Sequence, residues 1–160
     1  MEYSAHYRTD KYGYKYQINT ECEYSVFGSE PALSFDIKAH GIKLQKWEYY
    51  DYRLRYEIRD GSLYLKCFSF IPALLFKPAP MFGVDPEVGA RFYTYYFKDF
   101  LVDYTGVWSI GKDFDFRFWS GDEKAKPTPF CPEVYKQNGF IRFENGRVVE
   151  IEIHPRNSKI

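Results

Sequence analysis

The chain has 160 residues, with 22 Lys plus Arg balanced by 22 Asp plus Glu, and 21% of it is aromatic, including 16 Tyr and 15 Phe. This length fits one domain that buries roughly 70% of its unfolded surface without staples. The balanced charge supplies no field to draw in nucleic acid or an anionic membrane, so neither is expected as a partner.

In chain order, Met1 to His6 carry no apolar run behind a basic segment, and no stretch of about 20 apolar residues follows, so neither a signal peptide nor a spanning helix is expected. A cytoplasmic location is the expectation. It agrees with three cysteines, Cys22, Cys67 and Cys131, whose odd number and lack of framework spacing suit reduced thiols. Tyr12, Tyr14, Tyr16 and Ile18 alternate with smaller or polar residues and predict a first strand. Glu21 to Phe27 predicts a second, reached through Asn19-Thr20. After the turn cluster Gly28 to Pro31, the alternation of Leu33, Phe35 and Ile37 predicts a third, ended by His40-Gly41.

The clearest element runs from Trp47 to Phe70. Tyr50, Tyr52, Leu54, Tyr56 and Ile58 alternate with Asp51, Arg53, Arg55, Glu57 and Arg59, a period of two that gives one buried and one wet face. Asp60-Gly61 then supplies the two positive-φ positions of a type I′ hairpin turn. In that register Ile58 faces Leu63, Tyr56 faces Leu65 and Leu54 faces Cys67. The apolar passage Phe68 to Phe82, broken by Pro72, Pro78 and Pro80, predicts either a loop packed on the core or an exposed apolar rim for a ligand or partner.

Beyond it, Asp85-Pro86-Glu87 predicts at most a turn of helix, and the composition of Arg91 to Lys98 predicts a strand. Val102 to Ile110 and Phe114 to Trp119 predict a hairpin around Gly111-Lys112. Gly121 to Asn138 lacks periodicity and predicts a long loop covering one end of the domain. For the last hairpin, a three-residue loop of Glu144, Asn145 and Gly146 pairs Ile141 with Val149 and Phe143 with Arg147, placing Ile141, Phe143, Val149, Ile151 and Ile153 on one face.

About eight to ten short strands with almost no helical period predict an all-β fold, an antiparallel meander closing into a lipocalin-like barrel, with a β-sandwich as the alternative. The segment Tyr56-Glu57-Ile58-Arg59-Asp60-Gly61-Ser62-Leu63-Tyr64-Leu65, with Asp103-Tyr104-Thr105-Gly106-Val107-Trp108 later, resembles the pattern of small uncharacterised β-rich bacterial proteins. The resemblance implies no catalytic residue.

No phosphate-binding Gly-rich loop, nucleophile elbow or paired-Cys zinc spacing occurs, so no catalytic residue, metal or cofactor is assigned. His6, His40 and His154 are isolated, and Asp113 with Asp115 reads first as a solvated pair. Tyr50, Tyr52 and Tyr56 fall on the inward face, where buried hydroxyls need partners. They point to a ligand-filled interior unless they reach backbone groups. The candidate ligand-binding set is Tyr50, Tyr52, Tyr56, Arg53, Arg55, Phe116 and Trp108. The Arg face could hold an anion or form cross-strand charge pairs outside. The first functional expectation is a non-enzymatic barrel holding a small apolar or aromatic ligand. The alternative is a protein-binding module such as an inhibitor or immunity partner of a bacterial toxin, anchored by Tyr and Trp. A barrel enzyme acting on a phenolic substrate is third.

Overall fold

The Asp60-Gly61 turn forms as the sequence dictates, both residues holding positive φ (52° and 75°), and from it the largest hairpin rises. The structure, a computed structural model, describes residues 2–7, 24–27, 32–45, 52–114 and 135–156. Among these, nine strands make one sheet: β1 (Glu2–Tyr7), β2 (Tyr24–Phe27), β3 (Tyr52–Arg59), β4 (Ser62–Phe70), β5 (Glu87–Val88), β6 (Tyr93–Leu101), β7 (Gly106–Phe114), β8 (Tyr135–Glu144) and β9 (Arg147–Pro155). The fold is all-β, with a single 3-10 turn at Lys38–His40. Pairing is antiparallel throughout except between β1 and β2. No helix among the described residues is long and apolar enough to cross a membrane.

Hydrogen-bonded neighbours follow the order β9, β8, β7, β2, β1, β3, β4, β6, β5. The sheet is not closed into a barrel, because β9 meets β4 at one pair, Ser62 opposite Arg147. That contact joins the tips of two hairpins. Leu63 N–H donates to Gly146 O and Val148 N–H to Gly61 O, both at 2.9 Å.

In the central hairpin Ile58 faces Leu63 and Tyr56 faces Leu65 as the pattern predicts. The third pair differs: a bulge leaves Lys66 without a partner on β3, and Leu54 faces Phe68 instead of Cys67. The shift turns Phe68 and Phe70 toward Leu54 and Tyr52 and moves the smaller Cys67 and Ser69 to the other face, so more apolar area joins the core. Cys67 is buried. Ser69 and Thr94, buried on that second face, share a 2.7 Å hydrogen bond.

The last hairpin also departs from expectation through a bulge. Asn145 and Gly146 (φ 48° and 78°) make a two-residue turn pairing Glu144 with Arg147. A bulge then leaves Val149 unopposed, so Phe143 faces Val148 and Ile141 faces Ile151. Val149 is 43% and Ile151 49% exposed, and none of the described strands lies beyond β9 over most of its length. Glycine is required at 146, where a Cβ would run into the Val102 carbonyl oxygen.

Other expectations are corrected. Gly111-Lys112 is no turn: β7 runs straight through it, with buried Gly111 held between Ser25 and Asn138. Residues 33–37 bend instead of pairing. Their apolar side chains still pack on the core, so the alternation marked burial and not an extended ladder. At Pro86 there is no helix but the two-residue β5, paired with β6. The strand expected at Arg91 to Lys98 is β6, and β2 lies within the expected 21–27. Tyr135 to Asn138, expected in the long loop, begin β8. The strand at 12–18, Cys22, Cys131, the strand at 115–119 and the rest of that loop lie outside the described residues.

Leu54 and Leu65 are buried completely. Leu54→Ala is expected to lower stability by about 2 to 4 kcal/mol, whereas Val149→Ala changes it by less than about 0.5 kcal/mol; denaturant midpoints check both. A large loss for Val149→Ala would reinstate the three-residue loop.

Candidate functional site

The expected site residues separate onto two faces. Tyr52 and Tyr56 on β3 and Trp108 on β7 point into the core, whereas Arg53 and Arg55 alternate to the opposite face. Tyr50 and Phe116 lie outside the described residues. Trp108 is the centre of an aromatic cluster, with Tyr56, Phe143 and Tyr3 at centroid distances of 4.9, 4.8 and 5.7 Å. Its Nε1–H is buried and has no acceptor among the described residues.

The inner face is covered by the chain itself. Residues 32–45 cross it, burying Ala32 and Ile42 and packing Leu33, Phe35, Ile37 and Leu44 against the core. The Tyr56 hydroxyl donates to Ala32 O at 2.8 Å. A phenol with its donor satisfied by backbone is a structural group, so Tyr56 follows the second of the two roles open to it. Leu44 pairs with Pro72, Gln45 N–H donates to Ile71 O and Ala73 N–H to Lys43 O, which fastens the end of this segment beside the chain leaving β4.

On the outer face Arg59 reaches Asp99 at 2.6 Å and Glu57 at 3.6 Å, and Lys66 reaches Glu57 at 3.2 Å. The guanidinium also lies 4.2 Å from the Tyr64 ring centroid. The hydrogen bond to Asp99 raises the Arg59 pKa above its ordinary value. These groups line a shallow hollow of about 270 Å³ beside the Lys66 bulge. Positive and negative groups neutralise each other there, as cross-strand charge pairs do. Arg53 adds a 3.4 Å contact from its guanidinium to Ser69 Oγ.

A third locus, the passage from Ile71 to Val88, shows what alternation could not. Phe76 N–H donates to Ala73 O, closing a tight turn whose tip carries Leu74 and Leu75, 90% and 94% exposed. Leu75 sits at φ 64°. Met81 and Val84 bond reciprocally around Phe82-Gly83, and Phe82, 52% exposed, holds φ 51°. Left-handed backbone is uncommon for bulky residues. Yet the passage is well anchored: Tyr95 hydroxyl donates to Ala79 O at 2.6 Å, and Phe82 packs on His40, Phe100 and Phe35 at 4.9, 5.1 and 5.3 Å. Sequence signalled this passage as apolar and proline-broken, but not its strain or its fastening.

Compared with family models, curated proteins and solved structures, the chain matches none.

Burial, with the Asp85 carboxylate adding to it, pushes the Tyr95 phenol above its ordinary pKa. A raised folded-state value means that this contribution is full below the unfolded value, about 10, and is lost as pH rises through the folded one. Tyr95→Phe is therefore expected to cost about 1 kcal/mol at neutral pH, and to lose less further stability than the parent as pH rises above about 10. Urea midpoints across that range decide it; parallel pH profiles would exclude the contribution.

Proposed function

We propose that this protein is a protein-binding module, of the kind that inhibits or neutralises a partner such as a bacterial toxin, with Leu74, Leu75 and Phe82 anchoring the contact. The observation that carries this is the cost the folded chain bears in one passage. Two leucines stand almost wholly in water, and two bulky residues hold left-handed backbone, on a segment otherwise pinned by backbone bonds and by Tyr95. Strain and exposed apolar area that the fold does not need are what a contact surface retains. The curl that brings the two hairpin tips together supports an incomplete barrel as the scaffold. The segment 32–45 over the inner face favours a partner on the rim over a ligand in a lumen.

The small-ligand reading keeps one observation in its favour, the buried Trp108 Nε1–H, to which an aromatic ligand bearing an acceptor could bond. The two readings separate experimentally. Immobilised protein is expected to retain a stoichiometric partner from extracts of its native cells, and the double variant Leu74→Ser/Leu75→Gly to lose it. Leu75→Gly alone is expected to leave stability unchanged or raise it by up to about 1 kcal/mol, since glycine accepts this φ without strain. Equal retention by the double variant would remove the rim as the contact. Stoichiometric uptake of a naphthol probe that quenches Trp108 would transfer the case to the ligand.

A further inference from the structure

The exposed edge of β9 has the chemistry of a docking strand. Arg156 N–H bonds inward to Lys136 O on β8, and Val148 N–H bonds outward to Gly61 O. Alternation between these fixed points, with the bulge at Val149, turns the backbone N–H and C=O groups of Ile151 and Ile153 away from β8. The next outward position is Pro155, which has no N–H and so ends the edge. Past the Arg147–Ser62 pair none of the described strands lies against β9, whose residues Val149 to Glu152 are exposed. The other end of the sheet is the two-residue β5, too short to template much.

The side chains specify the occupant. Ile151 and Ile153 lie opposite Ile141 and Gly139, on the apolar face, and Ile151 is half exposed. Glu150, Glu152 and His154 lie on the other face. Arg142 occupies one side of Glu150 at 3.2 Å, and His154 stands 3.7 Å from Glu152, yet both glutamate side chains stay about half exposed, at 47% and 52%. A second copy of β9 fits poorly. Antiparallel registers that set Ile151 opposite Ile151 put Glu150 opposite Glu152, and those that set Ile151 opposite Ile153 put Glu152 opposite Glu152; like charges directly opposite are unfavourable. We infer that β9 accepts, by strand addition, an extended segment of a partner protein that alternates apolar residues with Lys or Arg. Its apolar side chains lie beside Ile151 and Ile153, its cations beside Glu150 and Glu152, and main-chain bonds to Ile151 and Ile153 hold it.

The test uses the full chain and a fluorescein-labelled peptide of four Val-Lys repeats, read by anisotropy, with hydrogen exchange of the protein alone and in complex. Saturable binding is expected, with the Ile151 and Ile153 amides exchanging freely alone and becoming protected in the complex. Ile153→Pro removes an outward donor without touching the β8 ladder and is expected to weaken binding about tenfold. The pair Glu150→Gln/Glu152→Gln, at exposed positions, is expected to weaken it similarly and flatten its salt dependence. A peptide N-methylated at alternate residues along one edge is expected not to bind, which separates strand addition from charge attraction without altering the protein. Protection of both amides in the free protein, self-association through β9, or equal binding of the N-methylated peptide would overturn the inference. The Leu74→Ser/Leu75→Gly variant is expected to bind the peptide unchanged, so this surface and the rim stand or fall separately.

Discussion

The bulge at Lys66 decides which half of β4 belongs to the core. Up to Leu65 the strand obeys simple alternation, with Leu63 and Leu65 in and Tyr64 out. One extra residue then reverses the phase, so that Phe68 and Phe70 meet Leu54 and Tyr52. Much of the molecule leans on that reversal. Phe68 and Phe70 pack against Tyr95 of β6 at 6.3 Å each, and Tyr95 in turn holds the Ala79 carbonyl. The displaced Ser69 finds Thr94 on the opposite face, so the exchange leaves no buried hydroxyl idle. A single irregularity thereby sets the core, the seating of β6 and the anchorage of the apolar passage.

The same device explains why some of the fold was legible in the sequence and some was not. The dipeptides Asp60-Gly61 and Asn145-Gly146 mark turns by their backbone requirement, and both hold the positive φ they advertise. Pairs within four residues of Asp60-Gly61 could be read directly, because no irregularity intervenes. Bulges at Lys66 and Val149 have no comparable local signature. At Lys66 the larger side chains win the inner face, a contest settled by packing across several strands. Gly111 misled for the converse reason: a glycine flanked by strand-like runs on both sides suggests punctuation locally but here lies mid-strand, paired with a neighbour on either side.

The candidate site was legible in composition more than in placement. Tyr52 and Tyr56 turn inward as their alternation implied and Trp108 joins them there, whereas Arg53 and Arg55, grouped with them as ligand-binding candidates, lie on the opposite face. The missing knowledge was what lies against them. Residues 32–45 resemble a strand in their apolar spacing, yet they serve as a filler whose carbonyl at Ala32 answers the Tyr56 hydroxyl. That partnership spans 24 residues of sequence, and nothing near either residue announces it. Exposure at Leu74 and Leu75 was equally hidden, since an apolar run looks the same whether it is covered or bare.

The parallel pairing of β1 with β2 bears on how the chain reaches this state. Both strands are near the amino terminus, yet each completes its ladder with a distant element: Tyr3 lies opposite Tyr56, and Val26 opposite Ile110. The middle of the sheet therefore joins the two earliest of the described strands to elements that follow much later in the chain. Hairpins β3–β4 and β8–β9 can zip locally, but the seam that unites them must wait for loop closures on the scale of the whole domain. Such topologies fold slowly and expose unpaired apolar edges while they do so. During synthesis, β1 and β2 spend their time as unsatisfied strands in search of partners that the ribosome has not yet released.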